Sequence, residues 1–126
     1  MNQPATGSRF ERVTYWMVST SPWACLALFW SFVLRARLAL GRWPTPCQPD
    51  PKDLGFDFHH LLVTLSLPVA ISMTVMAGVL VLVAIAWRWE RATRFGLGTL
   101  ILCVGWAALI LYAKLDPGRF VEWFLD

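Results

Sequence analysis

Three stretches of the chain, 13–34, 58–87 and 95–113, contain no Asp, Glu, Lys or Arg. Each reaches the roughly 20 residues a helix needs to cross about 30 Å of hydrocarbon. The pattern predicts an all-α integral membrane protein of three transmembrane helices in a single membrane domain. Flanking polar and breaking residues set helix 1 at 9–40, helix 2 at 58–89 and helix 3 at 94–115. Ahead of them, the small polar residues 1–8 read as a disordered tail.

Between helices 1 and 2 the composition changes abruptly. Pro44, Pro46, Pro49 and Pro51 fall within 43–57; they argue against helix and predict an extended, stiff Pro-rich loop. Asp57 then fits an N-cap, with His59 and His60 in the first turn. Helices 2 and 3 are joined by so few residues, 88–94, that they are expected to be antiparallel neighbours. Two prolines fall inside spans. Pro22 follows Ser19, Thr20 and Ser21, and Pro68 lies two turns into helix 2. Each removes a backbone donor and predicts a kink, which neighbouring hydroxyls can relieve in a membrane. The apolar run 61–87 would be about 40 Å long at 1.5 Å per residue, so helix 2 is expected to tilt or project. Asp116 and Pro117 read as an N-cap and first-turn proline. They open a short amphipathic helix, 117–126, whose Phe120, Val121, Trp123 and Phe124 suit a membrane interface.

Composition supports this reading: 57% of the 126 residues are hydrophobic and the mean hydropathy is +0.54, more apolar surface than a soluble domain of this size hides. The net charge of +3 comes from arginines beside the spans, not from a patch suited to nucleic acid. Arg35, Arg37, Arg88, Arg91 and Arg94 are therefore expected at lipid headgroups, where long side chains reach phosphates. The cations nearly balance across the two faces; the three arginines in 88–94 favour a cytoplasmic N-terminus and hairpin, in a plasma or inner membrane. The first span is too long for a signal core and lacks a small-x-small cleavage site, so it is expected to be retained. Cys25 and Cys103 fall in spans and Cys47 in the loop, so no internal disulfide framework is expected.

The remaining signals are surfaces. Ser66, Ala70, Thr74 and Gly78 recur every four residues along helix 2, a ridge that lets another backbone approach closely. Thr99, Cys103 and Ala107, with Gly98 and Gly105 nearby, form a counterpart on helix 3, and the expectation is that the two ridges meet. Trp16, Trp23 and Trp30 recur every seven residues on helix 1. Trp16 and Trp30 suit the aromatic belts, as do Trp43, Trp87 and Trp89. Trp23 and Trp106 fall deeper, where an indole donor needs a partner in the protein or at an interface. With Phe120, Trp123 and Phe124 they are the candidate contacts to lipid or to another chain.

Chemistry is thinly represented. His59, His60, Asp57 and Cys47 are weak metal candidates, since adjacent helical histidines point about 100° apart and do not readily share one ion. Carboxylates and cations are missing from the spans, and Ser66 and Ser72 have no neighbouring base. No catalytic residue, cofactor or nucleic-acid partner is expected. The partners expected are the bilayer and other membrane subunits or copies of the chain. The reading that follows is a small accessory or assembly subunit of a larger membrane complex, without catalysis of its own. The alternative is a homo-oligomeric channel or transporter with its pore between copies.

Overall fold

The computed structural model describes residues 6–46, 50–86 and 96–125. Within them are helices α1 (Thr6–Leu40), α2 (Asp57–Ala86), α3 (Gly96–Leu115) and α4 (Phe120–Leu125), with a 3-10 turn at Pro51–Leu54. There is no strand among the described residues. Three of the helices, over Val13–Leu40, Asp57–Val79 and Gly96–Leu115, are long and apolar enough to cross a membrane. α1 begins three residues before the predicted boundary, and the hairpin 88–94 lies outside the described residues.

The predicted stiff loop is not wholly extended. Asp50 caps a 3-10 turn, its carboxylate accepting from Lys52 N at 2.9 Å and its carbonyl from Asp53 N at 3.0 Å. Pro51 at the first position fits that turn because its missing N–H is not needed there. Gly55, at φ 66°, then reverses the chain into α2. The cap of α2 is one residue earlier than expected: the Phe56 carbonyl accepts from His60 N at 2.9 Å, and Asp57 is the first helical residue.

Both prolines are accommodated within unbroken helices. Pro22 cannot donate to the Val18 carbonyl four residues back, and the Ser21 hydroxyl donates to that carbonyl instead, at 2.8 Å. In α2 the hydroxyls of Thr64, Ser66 and Ser72 donate to the carbonyls of His60, Val63 and Pro68 around the second proline. The substitution works because a hydroxyl on one helical turn reaches the previous turn's carbonyl.

The main departure from expectation is the pairing of helices. α1 is the common partner: α2 and α3 both pack chiefly against it. With α2 the register is antiparallel, Cys25 lying beside Ser66 and Ser31 beside His59. Four residues further, the same register sets buried Ala70 opposite buried Ser21. With α3 the register is parallel and repeats every seven residues. Tyr15 meets Gly98, Pro22 meets Gly105 and Phe29 meets Tyr112, a heptad seam of the kind that keeps two helices nearly aligned.

This seam decides which face of α3 turns inward. Gly98 and Gly105 are buried, whereas Thr99, Cys103 and Ala107 are exposed. The two small-residue ridges therefore do not meet, because the bulky side chains of α1 take the glycine hollows first. Thr74 is the point where α2 still reaches α3, its hydroxyl accepting from the Trp106 indole at 3.0 Å.

A Cβ at Gly105 would come within 2.8 Å of the Trp23 indole nitrogen and 3.2 Å of Pro22. Gly105→Leu is expected to push α3 off α1 and cost about 1–3 kcal/mol, read as a lower thermal midpoint by circular dichroism in detergent.

Candidate functional site

The chain order puts the C-terminal end of α1, the start of α2, the end of α3 and α4 on one side of the bundle. Their aromatic residues converge there into a cap. α1 contributes Phe32, Val33 and Ala36, all fully buried, with Phe29 and Trp30 beside them. α2 contributes Val63, and the connection before it contributes Leu54 and Phe56. Trp123 of α4, 0% exposed, fills the centre.

Phe32 is the hub of this packing. Its ring meets Phe56, His59, Trp123 and Phe124 at centroid distances of 6.3, 5.3, 5.8 and 5.3 Å, mostly edge to face. That geometry suits the negative faces and positive edges of aromatic rings. Trp30 bridges Tyr112 and Phe120, and Trp43 closes the rim against Phe120 at 5.4 Å.

Asp116 holds α4 in this position. Its carboxylate accepts from Val121 N and Glu122 N, both at 3.0 Å. The helix therefore starts at Phe120, three residues later than expected. Pro117 and Gly118 form a turn instead of its first turn, and Arg119 sits at φ 54° and pairs with Glu122. The apolar side of α4 has a partner within the chain. Trp123 is buried in the cap, and Phe120 and Phe124 pack against it half-buried.

Of the candidate metal ligands, His59 and His60 lie against this cap. His59 Nε2 is 3.0 Å from the Ser31 hydroxyl, and His60 stacks on Phe124 at 4.5 Å. The imidazoles are thus engaged by different elements. Asp57 is exposed, and Cys47 lies outside the described residues. No group of three or more His, Cys, Asp or Glu converges among the described residues. Two polar atoms of the cap, His60 Nε2 and the Tyr112 hydroxyl, are buried without a hydrogen-bond partner among those residues.

The other candidates are dispersed. Trp23 donates to the Ile101 carbonyl at 3.2 Å, so its deep indole is satisfied by α3. Trp16 is exposed and touches Tyr15 edge-on. Gly78 is exposed, with open space where a Cβ would stand. The guanidinium of Arg35 lies 4.1 Å over Phe56, and that of Arg37 lies 4.0 Å over Trp43. Arg88, Arg91, Arg94, Trp87 and Trp89 lie outside the described residues.

Sequence reasoning missed Tyr15, Phe32, Phe56 and Tyr112. A signal for Tyr15 and Tyr112 was present: positions 15, 22 and 29 of α1 and 98, 105 and 112 of α3 are two matching heptads, one step from the conspicuous tryptophan series. Comparison with family models, with curated proteins and with solved structures finds no match.

Trp123→Ala is expected to cost about 3–5 kcal/mol and to release α4, seen as new proteolytic cleavage near Gly118. Thr74→Val leaves the Trp106 indole without its acceptor. Bonds of this kind in membranes are worth about 0.6 kcal/mol and at most near 1.7, so a correspondingly small loss is expected in reversible unfolding.

Proposed function

We propose that the chain is a small accessory or assembly subunit of a larger membrane complex, acting through helix packing and loop contacts and without catalysis of its own. Its setting is a plasma or inner membrane, with the N-terminus and the 88–94 hairpin on the cytoplasmic side. The observation that supports this reading is the outward ridge of α3, where Thr99, Cys103 and Ala107 follow one another on an exposed face. Long apolar side chains are adequate against lipid. A run of small ones is useful chiefly where a second backbone comes close, since lipid supplies no hydrophobic drive between helices.

Internal packing leaves other surfaces open in the same way. Only 11% of the spanning windows of α2 and of α3 is buried, and Gly78 on α2 has room for a neighbour. The partner is another membrane subunit or a second copy of the chain, and the aromatic cap stiffens the end that carries the Pro-rich loop.

The test is purification of the full chain in mild detergent, followed by mass spectrometry of what accompanies it. Co-purification of a partner or a stable self-assembly is expected, and recovery only as a partner-free monomer would sink the proposal. Ala107→Phe and Cys103→Trp place bulk on the outward ridge. Each is expected to abolish the association while leaving the unfolding free energy of the isolated chain within about 0.5 kcal/mol of the parent, as for exposed positions.

A further inference from the structure

α4 follows α3 in the chain but is seated by other elements. The rings it meets are Phe29, Trp30 and Phe32 of α1, His60 of α2 and Trp43 of the connection between them. The helix that delivers α4 and the groove that receives it are thus separate parts of the fold.

The turn that joins α3 to α4 is strained. Among the described residues, the two other than glycine with positive φ, Asp116 at 32° and Arg119 at 54°, both lie in it. Asp116 is also followed by Pro117, whose ring pushes the residue before it towards extended backbone. A left-handed residue in front of proline is held against two steric preferences at once.

Rotation about the N–Cα bond of Asp116 relieves that strain without dismantling α4. The Asp116 carboxylate lies on the far side of the bond, so its caps on Val121 N and Glu122 N travel with the helix. The bond from Arg119 N to the Asp116 carbonyl and the Arg119–Glu122 pair travel too. The bond from Asp116 N to the Tyr112 carbonyl stays with α3. Residues 116–125 therefore turn as one body on a single pivot, and what they leave is their seat in the cap. The six residues of α4 are about 9 Å long at 1.5 Å per residue. Helices of adjacent molecules pack about 8–10 Å apart, so the module swung outward from one copy reaches the next.

We propose that two copies of the chain exchange α4, each seating Phe120, Trp123 and Phe124 in the aromatic cap of the other. Every contact made within one chain is remade between two, and the pivot is relaxed in both. A short hinge under strain is the condition that invites such exchange. The occupant is a second copy because the cap closes completely around Trp123 of α4, 0% exposed. The inference goes beyond the accessory role and does not need it, since a chain with no foreign partner would still exchange.

The test is the oligomeric state of the full chain in mild detergent across a range of concentrations, by native mass spectrometry. A dimer that grows with concentration is expected. Pro117→Ala frees Asp116 from the pre-proline restriction, and a Gly-Ser-Gly insertion between Leu115 and Asp116 lets α4 reach its own cap unstrained. Each is expected to weaken the dimer about tenfold or more, since every dimer has two hinges. Trp123→Ala removes the anchor and Ala36→Trp fills part of the cap, so each alone is expected to be monomeric. Mixed, they are expected to form a one-to-one heterodimer, the intact α4 of the second entering the vacated cap of the first. A parent chain that stays monomeric, a dimer unchanged in either hinge variant, or no heterodimer from the mixture would overturn the proposal. A dimer that persists in Trp123→Ala or is lost in Ala107→Phe would do the same, assigning self-association to a surface outside the cap and leaving the accessory role intact. Should Ala36→Trp fail to fold, the two hinge variants, which leave the cap untouched, still decide the matter.

Discussion

A donor carried into hydrocarbon must find its acceptor inside the protein, since lipid tails offer none, and in this chain α1 meets most of that demand. Its Ser21 hydroxyl takes over the carbonyl that Pro22 leaves open. The Trp23 indole reaches α3, the Cys25 thiol reaches the Ser66 carbonyl of α2 at 3.2 Å, and the Tyr15 hydroxyl accepts from Gly98 N. That last bond caps one of the free N–H groups in the first turn of α3 from a different helix. With α1 in the middle, α2 and α3 need few bonds to each other.

The bundle changes character along its length. At membrane depth it is narrow and held by small residues, glycine hollows and single polar bonds. Towards the loop end it becomes a dense aromatic cluster. The difference follows from what surrounds each half. Burying a phenyl ring against protein gains little where the alternative is lipid, but near the headgroups the alternative includes water and burial becomes favourable. The large aromatic residues that are fully buried, Phe32 and Trp123, accordingly belong to the loop end, whereas the fully buried residues at membrane depth, Pro22 and Ala70, are small.

Much of this was legible in the sequence, for identifiable reasons. Uncharged runs of spanning length admit few alternatives, so the three long helices followed directly, and the Ser residues before Pro22 announced how the proline would be tolerated. Helix partners did not follow. A short hairpin guarantees that α2 and α3 are neighbours in the chain, not that their faces pack, and equivalent small-residue ridges on two helices cannot show that each will pack chiefly on a third. The destination of α4 was hidden for a related reason. Phe120, Trp123 and Phe124 define an apolar face, but the residues of α1 and α2 that they pack against lie far away in the sequence. Arg35 was visible as a headgroup cation, but its place over Phe56 follows from a turn that Gly55 makes at φ 66°.

The seam between α1 and α3 has a geometric consequence. Its first two layers set a large residue on a glycine, Tyr15 on Gly98 and Pro22 on Gly105, whereas its third sets Phe29 against Tyr112, two rings with centroids 5.9 Å apart. Such a seam is unequal in what it tolerates. A Cβ added at Gly98 or Gly105 meets an α1 side chain already seated there, so the first two layers admit nothing larger than glycine without moving a helix. The third layer is a pair of side chains with a further ring, Phe124, against Phe29 at 5.7 Å, and a ring can be trimmed there without a clash.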